Sequence, residues 1–158
     1  MSNFNINRRH FVKGTLASLA LTSFGANALD LVNLQQTLRV GLIGAGWYGK
    51  SDLFRLIQVA SVDVVAICDV DKNMLDGAAE LVSQRQKSGK KPKLYNDYRK
   101  LLADNKLDIV IIGSPDHWHA LQAIDSIKAG AHVYVQKPIS VDLMEGEAMV
   151  AAARKYNK

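Results

Sequence analysis

Gly44, Gly46 and Gly49 follow the apolar run Leu38 to Ile43 in G-x-G-x-x-G spacing. Each glycine answers a separate physical need of a dinucleotide-binding turn. Gly44 allows a tight strand-to-helix turn, Gly46 lets the backbone approach a pyrophosphate, and Gly49 lets the helix pack closely on its strand. The diphosphate would sit on the free N–H groups that open the helix, here those of Trp47 and Tyr48, where the dipole favours negative charge. Glycine triplets also occur in ordinary loops, so the context carries the reading. Leu53, Leu56, Ile57 and Ala60 recur at the period of a helix packed on a sheet. A second apolar run ends at Asp69, twenty residues beyond Gly49, where a Rossmann unit places the carboxylate that accepts hydrogen bonds from the adenosine ribose. The competing reading is a structural glycine turn beside a coincidental aspartate.

A second group of reactive residue types lies in the loop Ser114-Pro115-Asp116-His117-Trp118-His119, after the apolar run 107–113. Pro115 stops the strand, Asp116 is placed to cap the next helix, and Trp118, Leu121, Ile124 and Ile127 form a line that would seat that helix on the sheet. Ligands of open α/β sheets bind outside the carboxyl ends of strands. Ser114, Pro115, His117 and His119 are therefore candidates to line the nicotinamide half of a cofactor. The two histidines have an alternative as solvated side chains at a helix start. A metal site is not expected, because residues two apart on a helix point apart and no carboxylate or thiol cluster accompanies them.

The third group is Gln136-Lys137-Pro138, at the end of the apolar run 131–137. Proline restricts Lys137 to extended backbone, which holds its amine at the strand's carboxyl end. Oxidation of an alcohol requires the hydroxyl proton to leave as hydride leaves carbon. A lysine amine takes that proton once burial and a neighbouring cationic nicotinamide favour its neutral form. Strand alternation sends Gln136 and Lys137 to opposite faces unless the proline bend reorients them, and the sequence leaves open which one faces the crevice.

The elements that must position these groups alternate. Strands are predicted at 38–44, 62–69, 93–95, 107–113 and 131–137, and helices at about 47–60, 72–87, 97–104, 117–129 and 141–156. Such alternation implies an α/β, Rossmann-type doubly wound parallel sheet with helices on both faces. Right-handed crossovers from the glycine turn predict strand order 3-2-1-4-5.

Composition fits a packed domain, with 48% hydrophobic and 22% charged residues, and the chain length allows about one domain. The single Cys68 cannot form an intramolecular disulfide. It is either a buried spacer in an apolar strand or a reactive thiol. Residues 1–28 read as a targeting segment, with Arg8-Arg9 followed by Phe11 and Lys13, an apolar stretch to Ala26, and Ala26-Asn27-Ala28 in the A-x-A cleavage pattern. The alternative is an uncleaved N-terminal helix that anchors the protein to a membrane or packs on it. Residues 29–37 would be a linker and 38–158 the dinucleotide-binding domain. The segment 1–28 holds Arg8, Arg9 and Lys13 and no acid, so without it the net charge of +5 falls to +2. The basic cluster Arg85, Lys87, Lys90, Lys91 and Lys93 has no interleaved aromatic residues. A solvated loop is expected there, and no nucleic-acid partner.

Together the glycine turn, Asp69, the Pro115-to-His119 loop and Gln136-Lys137-Pro138 resemble the glucose-fructose oxidoreductase, inositol dehydrogenase and MocA family, over about Leu38 to Lys158. The resemblance implies an NAD-binding domain of an oxidoreductase acting on a sugar, polyol or related carbohydrate-like substrate. It also implies a role for Lys137 as a catalytic or substrate-binding group near the nicotinamide, and a family Glu-Lys-Pro pattern in which Gln136 replaces the glutamate. A redox-neutral glycoside-cleaving or epimerising chemistry is the alternative within the family, and a non-catalytic nucleotide-binding module is the alternative outside it. The family's second, substrate-binding domain is absent from these residues, so this polypeptide alone is expected to bind nucleotide without turnover. The N-terminal segment resembles a twin-arginine signal. It implies an export-machinery partner, a periplasmic or secreted location, and a cofactor held tightly enough to travel with the folded protein. Asp69 favours NAD over NADP because a 2′-phosphate would meet a carboxylate, with Lys72 softening that preference. A homo-oligomer remains open.

Overall fold

The computed structural model describes residues 37–158. The signal expected over 1–28, and all of the 29–37 linker except Thr37, lie outside the described residues. Five strands form one parallel sheet: β1 (Leu38–Ile43), β2 (Val62–Cys68), β3 (Lys93–Tyr95), β4 (Ile109–Ile112) and β5 (His132–Val135). Their order is β3-β2-β1-β4-β5, the order predicted from the glycine turn. Five helices connect or follow them: α1 (Trp47–Val59), α2 (Lys72–Arg85), α3 (Tyr98–Asp104), α4 (His119–Lys128) and α5 (Leu143–Tyr156). None of the described helices is long and apolar enough to cross a membrane.

Alternating side chains divide the core between the two faces of the sheet. On one face Val40, Leu42, Val64, Ile67 and Ile111 pack with Leu53 of α1 and Leu75, Ala78 and Val82 of α2. On the other, Ile43, Ala66, Cys68, Val110 and Ile112 pack with Tyr98 and Leu101 of α3 and Ala123 of α4. The pairing of β1 with β2 shifts where Val40 meets Val64 and Gly41 meets Ala66. That skip past Val65 changes which face the later residues of β2 occupy, so Ile67 joins Val64 although it lies three positions on. Leu53 is completely buried, a contribution of about 1.5–3 kcal/mol from this side chain alone.

The helix after β4 departs from its expected form. Asp116–Trp118 make a short 3-10 turn before α4, and the residue capping α4 is Trp118, with no side-chain hydrogen bond. The Asp116 carboxylate accepts instead from the His117 N–H at 2.9 Å. The predicted apolar line also fails at its near end, since Trp118 is 41% and Leu121 44% exposed. The buried face of α4 carries His119, Ala120, Gln122, Ala123, Ser126 and Ile127. The short 3-10 segment rotates the face by its tighter turn, and the polar members are tolerated because each has a partner. Gln122 Oε1 accepts from the Ser114 hydroxyl at 2.7 Å, and the Ser126 hydroxyl donates to Gln122 O at 2.7 Å.

At the carboxyl end of the sheet α1 meets backbone on two sides. A Cβ on Gly49 would fall inside the Gly44 carbonyl oxygen, and one on Gly113 would lie 2.7 Å from Gly49 Cα. Gly49→Ala should therefore destabilise the fold by about 1–3 kcal/mol. Gly77→Ala, in α2 with no heavy atom within 4 Å of the added carbon, should stabilise it by about 0.5–1 kcal/mol. Urea denaturation of the two variants checks the opposite signs.

Candidate functional site

The glycine turn is built by strand ends. Gly44 takes φ +89°, a left-handed conformation that L side chains rarely adopt, and its N–H donates to Cys68 O at 2.9 Å. Gly113 N–H donates to Ile43 O at 2.8 Å, and Gln136 N–H to Ile112 O at 2.9 Å. Main-chain bonds thus link the ends of β2, β1, β4 and β5 into one edge. Asp69 adds side-chain bonds to that edge. Its Oδ2 accepts from Ala45 N–H at 2.6 Å and its Oδ1 from Asp71 N–H at 2.9 Å. The carboxylate expected to meet a ribose therefore also fastens the glycine turn to β2.

A cleft of about 610 Å³ opens over this edge. It brings together Gly44, Gly46, Asp69, Ser114 and Pro115 from the candidate set, with Gly113 beside them. The cleft also takes in Asn96, Asp97 and Arg99 at the start of α3 and Gln122 of α4, which sequence reading missed. Only the predicted position of α3 beyond β3 signalled that its first residues could reach the same edge. Cys68 lines the floor. Burial, then the charges of Asp69 and Asp97, push its thiol up to about 12, so the spacer role fits and a reactive thiolate does not.

The residues present fit a dinucleotide. No side chain caps α1 and its first turn holds no acidic residue, which leaves its opening N–H groups to a ligand's charge. An added carbon at Gly46 would meet no protein atom within 4 Å, so the glycine there is not demanded by packing. Its surface faces the space a pyrophosphate would use.

Trp47 and Tyr48 stand at the opening of α1 with exposed rings, centroids 4.5 Å apart and nearly perpendicular. Neither ring borders the cleft. His117 is exposed beside Asp116, 3.6 Å from its carboxylate. His119 corrects both readings given to it. It is 2% exposed, and its Nδ1 lies 2.7 Å from Pro138 O and its Nε2 2.8 Å from Ser114 O. Each ring nitrogen thus faces a main-chain carbonyl, and the imidazole, donating through whichever nitrogen carries the N–H, lies between the loop after β4 and the loop after β5. Among the described residues no group of three or more His, Cys, Asp or Glu gathers to hold a metal ion.

Gln136 and Lys137 do not part to opposite faces as strand alternation alone predicts, because the bend at Pro138 lets both side chains reach α1. The half-buried Gln136 turns toward α1, where its Nε2 donates to Asp52 Oδ2 at 2.8 Å. The exposed Lys137 reaches over Tyr48, its Nζ 5.4 Å from the ring centroid. The amine therefore stands at the opening of α1.

Residues 38–158 match the profile of an oxidoreductase family with an NAD-binding Rossmann fold. The chain belongs to this Gfo/Idh/MocA family. A glycosyl hydrolase family 109 protein of Shewanella sp. is 33% identical over 98% of this chain and 38% of its own length. An α-N-acetylgalactosaminidase of Shewanella oneidensis is 32% identical over the same shares. The chain thus spans well under half the length of these relatives. Among solved structures, the WlbA dehydrogenase of Chromobacterium violaceum, crystallised with NADH and UDP-GlcNAcA, superposes with a TM-score of 0.68 at 27% identity. That match covers 78% of this chain and 34% of the dehydrogenase. As in the family, the cofactor of this domain is NAD.

Gly46→Ala should leave stability within about 0.5 kcal/mol yet weaken NAD binding by about tenfold or more, close to 1.4 kcal/mol. Titration calorimetry beside thermal melting checks this. Asp69→Ser should narrow the preference for NAD over NADP by about tenfold while loosening both, because the turn loses its carboxylate anchor. Unchanged preference would remove Asp69 from the selecting role.

Proposed function

We propose that the chain is the nucleotide-binding part of an enzyme that uses NAD to oxidise a hydroxyl-bearing carbon of a sugar or polyol, with Lys137 taking the hydroxyl proton. The observation that carries this reading is the position of the Lys137 amine. It stands over the ring of Tyr48, a residue of the first turn of α1, whose opening N–H groups would hold the cofactor's diphosphate. The bound nicotinamide supplies a hydride acceptor. Lys137 Nζ receives the proton that the hydroxyl loses, and the glycine turn and Asp69 fix the cofactor so that both transfers occur at one carbon.

Two versions share that step. In one, hydride transfer is the net reaction. In the other, oxidation acidifies the neighbouring C–H, whose loss expels the glycosidic oxygen; water then adds and the hydride returns, so no reduced cofactor accumulates. The similarity to proteins named glycosyl hydrolase family 109 and α-N-acetylgalactosaminidase favours the redox-neutral version with a hexosaminide-type substrate. We further propose export by the twin-arginine route with NAD held tightly, a reading supported by Arg8-Arg9 and the apolar stretch that follows. Free nucleotide is scarce outside the cytoplasm, and a redox-neutral cycle needs no exchange of it.

The test uses the protein as its host makes it. Release of p-nitrophenol from its α-N-acetylgalactosaminide without a rise in reduced-nicotinamide absorbance supports the redox-neutral version, whereas stoichiometric reduced cofactor supports net oxidation. Lys137→Met should lower turnover about 10²–10⁴-fold and leave the Kd for NAD within about twofold of the parent. Full turnover by that variant would end the assignment.

A further inference from the structure

Gln136 is the one position where this chain departs from the Glu-Lys-Pro pattern, and its surroundings account for the departure. Gln136 Oε1 accepts the Lys137 backbone N–H at 2.7 Å, which leaves Nε2 to point away from that bond. The atom it meets is Asp52 Oδ2 on α1, at 2.8 Å and 84 residues away in the chain. An amide is the group that accepts from an N–H with one atom and donates to a carboxylate with the other. Glutamate at 136 would turn its second oxygen onto the Asp52 carboxylate, and two acceptors at that separation repel.

From this geometry we infer that Asp52 is a positioning residue for Lys137, acting through Gln136. Tyr48 and Asp52 stand four residues apart on α1 and so share one face of the helix. That face holds the end of β5 twice, once through the Asp52 to Gln136 bond and once through the Lys137 amine over the Tyr48 ring. On the far side the buried His119 ring packs against Pro138, its Nδ1 2.7 Å from the Pro138 carbonyl oxygen. The Lys137 main chain is therefore held before it by a carboxylate-anchored amide and flanked after it by a buried imidazole. Its amine lies over the Tyr48 ring at the opening of α1. Neither the glycine turn nor the strand pairing supplies this restraint, since the last backbone bond of β5 to β4 is the one made by Gln136 N–H. The importance of Asp52 for chemistry rests on the reading of Lys137 as the proton acceptor; the wiring itself does not.

The test exchanges the two groups. Backbone hydrogen exchange at Lys137 and the nuclear Overhauser contact between its side chain and the Tyr48 ring are read by NMR in the parent, in Gln136→Glu, in the double variant Asp52→Asn with Gln136→Glu, and in Asp52→Leu. Gln136→Glu should speed exchange of the Lys137 amide by about tenfold and abolish the Tyr48 contact. The double variant restores an amide facing a carboxylate with the roles reversed, and should return both readings to within about twofold of the parent. Asp52→Leu removes the acceptor without adding charge and should resemble Gln136→Glu; if Gln136→Glu does not fold, this variant against the parent decides. A Lys137 amide unaffected by Asp52→Leu, or a folded double variant no better protected than Gln136→Glu, overturns the inference. These readings require no turnover. A Lys137→Met variant that stays active would therefore end the catalytic reading while the wiring stands.

Discussion

The ligand edge of this domain depends on a contact made without side chains. α1 begins where the ends of β1 and β4 approach one another, and the meeting point is backbone against backbone at Gly44, Gly49 and Gly113. Any Cβ at Gly49 would hold the helix off the strand, and the first N–H groups of α1 would move with it. Because a helix dipole acts over about its first turn, such a displacement matters more for an anion than for the hydrophobic core. The two core layers hold the sheet together, while the glycine contact decides where the sheet can hold a charged ligand.

Around that contact, polar groups serve two purposes at once. Asp69 fastens the turn through Ala45 and Asp71 while facing the cleft. Ser114 gives its hydroxyl to Gln122, and its carbonyl faces the buried His119 ring. No buried side-chain nitrogen or oxygen among the described residues lacks a partner, so the polar atoms beneath the cleft are already oriented before a ligand arrives. Orientation of this kind lowers the entropy that binding must offset.

Much of this architecture could be read from residue order, because it follows from local rules. Strand runs, helix periodicity and the glycine spacing gave the strand order β3-β2-β1-β4-β5, and a parallel sheet leaves few alternatives once crossovers are right-handed. Gly44, Gly46, Asp69, Ser114 and Pro115 were likewise legible, since each sits at a strand end and strand ends converge. What stayed hidden were contacts between elements distant in sequence. Asp52 looked like an ordinary polar residue on a helix, and only the approach of α1 to β5 makes it a partner of Gln136. His119 was misread because a histidine at a helix start has no local signature of burial; two carbonyls from separate loops, Ser114 and Pro138, create its site. The face of α4 was misplaced for a related reason. A 3-10 turn at Asp116–Trp118 shifts the helical phase, and nothing in the apolar periodicity announces it.

The buried thiol at the floor of the cleft has a consequence of its own. The sequence holds a single cysteine, it is Cys68 at the end of β2, and its proton is held up to about 12. A reagent that attacks thiolates can reach it only when this end of the sheet opens. Its labelling rate is thus a clock for local opening, and a nucleotide bound above it slows that clock by one plus the ratio of its free concentration to its Kd. The native chain carries its own gauge of how firmly the floor of the site stays shut, with no added probe.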